Sequence, residues 1–213
     1  MLAVAHRAGN DLQALREAAV LGADVVEADV HLRRGRLEVR HLKSMGPLPW
    51  LWDRWELHPA GVDQLMLSDL LDALPTGQTV MLDLKGVGRV GPETLRVLEA
   101  RSVEHPLLVC ARWWPSSLAF AHVPWAEVLL SARGRTELAR LRRLLRSGRP
   151  PYGVSVHLSV LTPALVREIQ GAGTLVLSWP VDDAVALERA RELGVDGAIT
   201  KDLGIVRELV ASR

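Results

Sequence analysis

The sequence predicts a (β/α)8 TIM barrel, one domain over residues 1–213, with a short insertion after the second strand. Three observations carry this. Short apolar runs alternate with segments of helical spacing along nearly the whole chain, which gives eight strand–helix units. The polar residues suited to chemistry sit at the C-terminal ends of those runs, where such a barrel carries its site. Finally, AVLGADVVEADV (19–30) resembles RELGVDGAITKD (191–202). Each reads as a helix end, a glycine, an apolar residue, an aspartate and an apolar strand, as expected of one helix-to-strand turn used twice.

Residues 2–5 form the first strand, and residues 11–21 have helical spacing and stop at Gly22. Residues 25–30 are the second strand, extended by alternating residues 37–41 after a turn at 33–35. Residues 42–66 hold Pro47, Pro49, Pro59 and three of the seven tryptophans, and read as a long loop or small insertion. Residues 68–74 (SDLLDAL) read as a short helix capped at its start. Strands are then expected at 79–84, 107–110, 128–130, 153–157, 175–178 and 197–200. Helices are expected at 92–100, 115–121, 136–146, 163–171, 182–193 and 202–211.

With 26 basic and 25 acidic residues, the net charge of +1 gives no electrostatic reason to expect nucleic acid as a partner. Cys110 is the single cysteine, which excludes an internal disulfide and any CxxC motif; in LLVCA it reads as a small core residue. No apolar run approaches the ~20 residues of a membrane span. The first residues show no basic stretch followed by a long apolar one. We therefore expect a cytoplasmic protein without stable membrane insertion.

Glu27 and Asp29 lie two apart on a strand and so share a face. Two carboxylates that close repel unless a cation lies between them. His6 and His41 flank them, and imidazoles exchange protons near neutral pH. The constellation suggests metal-assisted acid–base chemistry. The alternative for each acid is a salt bridge with Arg7 or Lys85. Asp83 and Lys85 end the third strand, His157 the sixth and Trp179 the seventh.

These residues resemble the glycerophosphodiester phosphodiesterase family from residue 4 to about 204. The matches are His6-Arg7-Ala8, Glu27-Ala28-Asp29-Val30, His41, Asp83-Leu84-Lys85, Trp179 and Gly194-Val195-Asp196-Gly197. The resemblance implies a metal-dependent phosphoric diester hydrolase that releases glycerol 3-phosphate and an alcohol. It implies Glu27, Asp29 and Asp83 as ligands of a divalent cation, Mg²⁺ or Ca²⁺, which suits oxygen donors. His6 and His41 would be the acid–base pair, and Arg7 and Lys85 would hold the phosphate. Trp179 would pack on the glycerol or its substituent, or serve only as an apolar residue at the barrel mouth. The partner implied is a small-molecule phosphodiester.

The chain also departs from the family. Ala8 replaces a glycine. Gly9-Asn10-Asp11 stands where the family has Glu-Asn-Thr, so an acid is missing. Leu42 follows His41 in place of an aspartate, Asp83 replaces a glutamate, and the segment before the third strand is short. Three other readings therefore stay open: action on lysophospholipids, a reaction ending at the cyclic phosphate, and a barrel that binds phosphodiesters without cleaving them. Among the remaining residues, His31 is expected to be solvated at a turn, with the edge of the site as the alternative because it shares strand parity with Glu27 and Asp29, and His58, His105 and His122 are expected to be structural. Residues 50–55 are expected to form a minicore under a loop, with an apolar wall for a lipid-like group as the alternative. The basic stretch 135–149 is expected to be an outer helix with a solvated arginine face.

Overall fold

The computed structural model describes residues 1–45, 48–53, 56–60, 64–101 and 105–213. Eight parallel strands form the barrel: β1 (Leu2–Ala5), β2 (Val25–Arg33), β3 (Thr79–Lys85), β4 (Leu107–Ala111), β5 (Ala126–Ala132), β6 (Gly153–His157), β7 (Leu175–Trp179) and β8 (Gly197–Thr200). Each strand pairs with its neighbours in sequence, and β1 pairs with both β2 and β8, which closes the sheet on itself. The helices between and after them are α1 (Leu12–Val20), α2 (Leu67–Ala73), α3 (Val90–Arg101), α4 (Trp114–Leu118), α5 (Arg135–Arg146), α6 (Pro163–Gly171), α7 (Ala184–Leu193) and α8 (Leu203–Ala211).

The period of two along each strand sorts the core into two compartments. Outward-facing residues such as Val26, Ala28, Leu82, Val109, Leu130 and Val176 pack under the helices. Inward-facing residues such as Val4, Val25, Met81, Leu108, Leu129 and Leu177 fill the barrel itself. On β2 the inward set continues from Val25 to Glu27 and Asp29, and on β3 from Met81 to Asp83 and Lys85. The sheet's own pleat therefore sends the apolar residues to the lower barrel and the charged ones to its C-terminal mouth.

Several helices begin slightly later than their sequence pattern because the acidic residue before them is a cap. Asp11 accepts from the N–H groups of Gln13 and Ala14, Asp183 from Ala186, and Asp202 from Gly204 and Ile205. The expected cap of α2 is corrected. Ser68 lies inside the helix, and the Asp69 carboxylate instead accepts from the Met66 N–H at 3.1 Å. Along α5, Leu138 and Leu141 are buried while Arg142 faces Glu168 and Arg140 lies over the Trp114 ring, as expected of an outer helix. Among the described residues no helix is long and apolar enough to cross a membrane.

Of the two readings of residues 42–66, the described residues form the small insertion, and it is folded. β2 turns back through Arg34 and Gly35, both with positive φ (49° and 77°), into an antiparallel strand at Arg36–Val39. A two-residue turn of that kind matches the twist of the strands it joins. Leu65–Met66 pairs on its far side. Between them, Lys43–Ser44, Trp50–Asp53 and Glu56–Pro59 form a separate three-stranded antiparallel sheet. Pro59 is tolerated because it ends an edge strand.

Candidate active site

Three strand ends and one hairpin build the site. His6 follows β1, and its N–H donates to the Thr200 carbonyl at 2.7 Å. Arg7 then adopts the left-handed region (φ 62°), a costly choice for a residue with a Cβ. The turn aims its N–H at Glu27 Oε2, 2.6 Å away. A short 3₁₀ turn at Ala8–Asn10 lies directly on β2. Gly9 permits this contact, since a Cβ there would lie 2.7 Å from that of Ala28. The close approach brings Asn10 over Asp29. The Asn10 Nδ2 donates to Asp29 Oδ2 at 2.9 Å, and the Asp29 N–H donates to Asn10 Oδ1 at 2.8 Å. Asp29 is thus fixed through both its backbone and its side chain.

Asp29 and Asp83 are register partners on β2 and β3. Glu27, Asp29 and Asp83 each offer an oxygen, and these atoms lie within 4.8 Å of one another. Glu27 and Asp29 are 2% and 0% exposed. The Lys85 ammonium is 2.6 Å from Asp29 Oδ1 and also contacts Asp83 Oδ2. Arg7 Nε is 3.6 Å from Asp29 Oδ2. His41 Nδ1 lies 3.2 Å from Asp29 Oδ2 and its Nε2 3.1 Å from Asp53 Oδ2, a residue of the inserted sheet. Buried Arg40 steadies this corner through Glu38, Ser44 and the Leu42 carbonyl. His6 Nε2 is 4.0 Å from Glu27 Oε2.

The charges respond to one another. Burial and the Asp29 charge hold Glu27 well above the usual carboxylate range. Burial likewise raises Asp83, against the opposing pull of Lys85. Burial alone would raise Asp29 too, but the Lys85 charge and hydrogen bonds from His41, Lys85 and Asn10 hold it below the usual range. Burial would lower Lys85, yet Asp83, Asp29 and Glu27 together keep it raised. Burial and the neighbouring Arg7 charge push His6 down to about 3, so its ring is neutral.

This donor set fits a divalent cation. Among the described residues Glu27 has no lysine or arginine ion pair, and Asp83 Oδ1 is buried with no hydrogen-bond partner. A hard cation would satisfy both, and all three donors are carboxylate oxygens. The salt-bridge alternative also has content, because Lys85 pairs with two of the same three acids.

A cavity of about 600 Å³ opens over the cluster. His6, Arg7, Glu27, His41, Asp83 and Lys85 line it, and Trp179 lines the far side. All eight residues expected at the site are thus brought together, with Asp29 just beneath the lining. His157 is a neighbour rather than a wall, packing edge-on against Trp179 with ring centroids 4.8 Å apart.

Two expectations are corrected. His31 is not solvated at a turn. It lies within β2 and lines the cavity, and burial, with the Arg40 charge, lowers it to about 3. The minicore under residues 50–55 does not form from Trp50 and Trp52. Leu51 is buried, whereas Trp50 and Trp52 face outward; Trp55 lies outside the described residues. Sequence reasoning gave no role to Asn10, Asp53, Lys43, Arg112 and Trp113. Asn10 keeps the asparagine of the family's Glu-Asn-Thr, but its partner Asp29 is close only in the folded chain.

No protein-family profile matches the chain. It is 27% identical to a probable glycerophosphodiester phosphodiesterase 2 of Mycobacterium tuberculosis, in an alignment covering all of this chain and 91% of the relative. A phosphodiesterase of Oleispira antarctica, solved in complex with the product sn-glycerol-3-phosphate, superposes with a TM-score of 0.78 at 18% identity, over 99% of this chain and 97% of that one. A glycerophosphodiester phosphodiesterase of Thermotoga maritima gives 0.75 at 17% identity, over 100% of this chain and 99% of that one. At such identities the structures establish the (β/α)8 fold, and the curated relative adds the sequence likeness. The resemblance to the glycerophosphodiester phosphodiesterase family therefore holds in both sequence and fold, over the full length of the chain.

Proposed function

We propose that this protein is a divalent-cation-assisted phosphodiesterase that cleaves glycerophosphodiesters to glycerol 3-phosphate and an alcohol. The observation that carries the reading is the cluster of Glu27, Asp29 and Asp83, with oxygens within 4.8 Å, beside His6 and His41 in one cavity. The likeness to the mycobacterial relative supports it. Glu27, Asp29 and Asp83 would hold Mg²⁺ or Ca²⁺. When bound, the cation supplies positive charge to a phosphate oxygen.

The chain's own groups do the rest. Arg7 and Lys85 bind the phosphate oxygens, Arg as a planar fork and Lys as a point charge. His6 takes the proton from the attacking hydroxyl, here the glycerol hydroxyl next to the phosphate. His41 faces a carboxylate oxygen at each ring nitrogen. We pair His41 with His6 as the group that protonates the departing alcohol oxygen. The bond to the alcohol breaks as the ring of the cyclic phosphate closes, and water then opens the ring to glycerol 3-phosphate with the histidine roles reversed. Trp179 offers an apolar face to the glycerol or its substituent.

The test is release of glycerol 3-phosphate from glycerophosphocholine and glycerophosphoethanolamine with Mg²⁺, Ca²⁺, Mn²⁺ or EDTA. Wild type would be compared with His6→Ala, His41→Ala and Glu27→Ala. Metal-dependent turnover, reduced roughly 10²–10⁴-fold in the histidine variants, is expected. A cyclic phosphate as the end product would mark the lyase variant of the same chemistry. A binding-only barrel is the second reading, favoured by the Lys85 ammonium already lying between Asp29 and Asp83. No turnover with any metal, in folded protein that still binds the cation, would establish it.

A further inference from the structure

The inserted sheet turns its apolar face outward. In a half-buried sheet the apolar side normally faces the core. Here the strand Trp50–Asp53 reverses that pattern. Leu51 points inward and is fully buried, and Asp53 reaches His41. Trp50 and Trp52 point outward, 40% and 38% exposed. Their cross-strand partners continue the patch: Trp52 lies between Lys43 and Leu57, and Trp50 opposite Pro59. Leu57 is 55% exposed, and Met45 and Leu48, at the turn between the first two strands, are 39% and 50% exposed. Contiguous exposed apolar surface of this kind marks an interaction site.

Position and charge say what it meets. Lys43 sits on this face with its ammonium 5.1 Å from the centre of the Trp52 ring, and it also lines the cavity. The exposed hairpin tip with Arg34 and Arg36 is tied to the sheet by Arg33, which donates to the Ala60 carbonyl at 3.2 Å. Val87 and Trp113, both exposed, line the cavity across its mouth. Tryptophan rings within a basic fringe are the side chains that settle at an anionic lipid–water boundary. A second copy docked symmetrically through the same face would bring Lys43 and the arginine tip toward their own images, a like-charge contact.

We propose that this face docks on an anionic lipid–water interface and thereby holds the cavity mouth against the membrane surface. The experiment is flotation of the full chain with vesicles of phosphatidylcholine alone and of phosphatidylcholine mixed with phosphatidylglycerol. Wild type is expected to bind the mixed vesicles about tenfold or more tightly than the neutral ones. The Trp50→Ser/Trp52→Ser double variant is expected to lose about tenfold or more of that binding. Val20→Ser, at the opposite end of the barrel, should bind as wild type does. Leu57→Ser, checked by circular dichroism, repeats the test should the double variant misfold. No binding of wild type to mixed vesicles, or binding that none of the face variants reduces, would overturn the proposal. So would self-association in solution that the double variant abolishes while vesicles remain unbound, since a second copy would then cover the face. Binding is measured without turnover, so this result is independent of the phosphodiesterase reading.

Discussion

The two sides of the barrel mouth are built from different chemistry. On the side of β1 to β3, inward positions carry His6, Glu27, Asp29, Asp83 and Lys85, packed so closely that each one's ionisation depends on the next. From β4 to β8 the inward residues at the same level are Cys110, Ser131, Ser155, Trp179 and Ile199, all neutral near neutral pH. Arg112, beyond the end of β4, lies 3.5 Å from Glu137. A reaction at a charged phosphate needs fixed charge on one side only. We read the β1–β3 side as holding cation and phosphate and the neutral side as receiving the glycerol or alcohol.

The sharpest way to break that division is Glu27→Gln. It should cut kcat/KM roughly 10³-fold, as loss of an electrostatic element at the reacting centre does. The melting temperature should hold or rise, because the change removes a buried carboxylate beside another. A fall in stability with activity intact would show the acid to be structural. Asn10→Ala should come next. It leaves all three acids in place but frees Asp29, so divalent-cation affinity measured by calorimetry should weaken roughly 10–100-fold. On the neutral side, Trp179→Ala should act mainly on KM, by about tenfold or less with kcat nearly unchanged, as expected for an apolar wall. A large loss of kcat there would contradict the division. The smallest effect concerns Cys110. Burial, reinforced by the Asp83 charge, raises its thiol pKa, so it stays protonated through the neutral range. Iodoacetamide should label it slowly at pH 7 and faster only at strongly alkaline pH or after denaturation, as mass spectrometry would show.

Much of the charged side was legible in the sequence because parity on a strand is a local property. Glu27 and Asp29 share a face of β2, and Asp83 and Lys85 share a face of β3, whatever surrounds them. Strand–helix alternation set the barrel in the same way, because each unit buries its own apolar stripe. The insertion was legible as an insertion, but its internal sheet was not. Its strands are two to four residues long, and WLWD alternates with the apolar rings on the wet side, opposite to the usual pattern. The roles of Asn10, Gly9 and Asp53 were missed for another reason. Each acts on a residue 12 to 19 positions away that is close only in the folded chain. His31 was misjudged because β2 runs three residues past the barrel-like part of its sequence pattern, carrying the ring into the cavity wall.

The hairpin that carries the insertion also makes it a detachable cassette. Val39 and Leu65 are direct partners in an antiparallel pair, so the ends of the intervening segment emerge about 5 Å apart. A short loop from Leu42 to Gln64 could replace everything between them with the Val39–Leu65 pair left in place. Such a graft would discard Asp53 and the tryptophan face together while keeping His41 on its stem. Segments of different length and character can therefore be exchanged at this joint, and the barrel's surroundings can change while its carboxylates stay where they are.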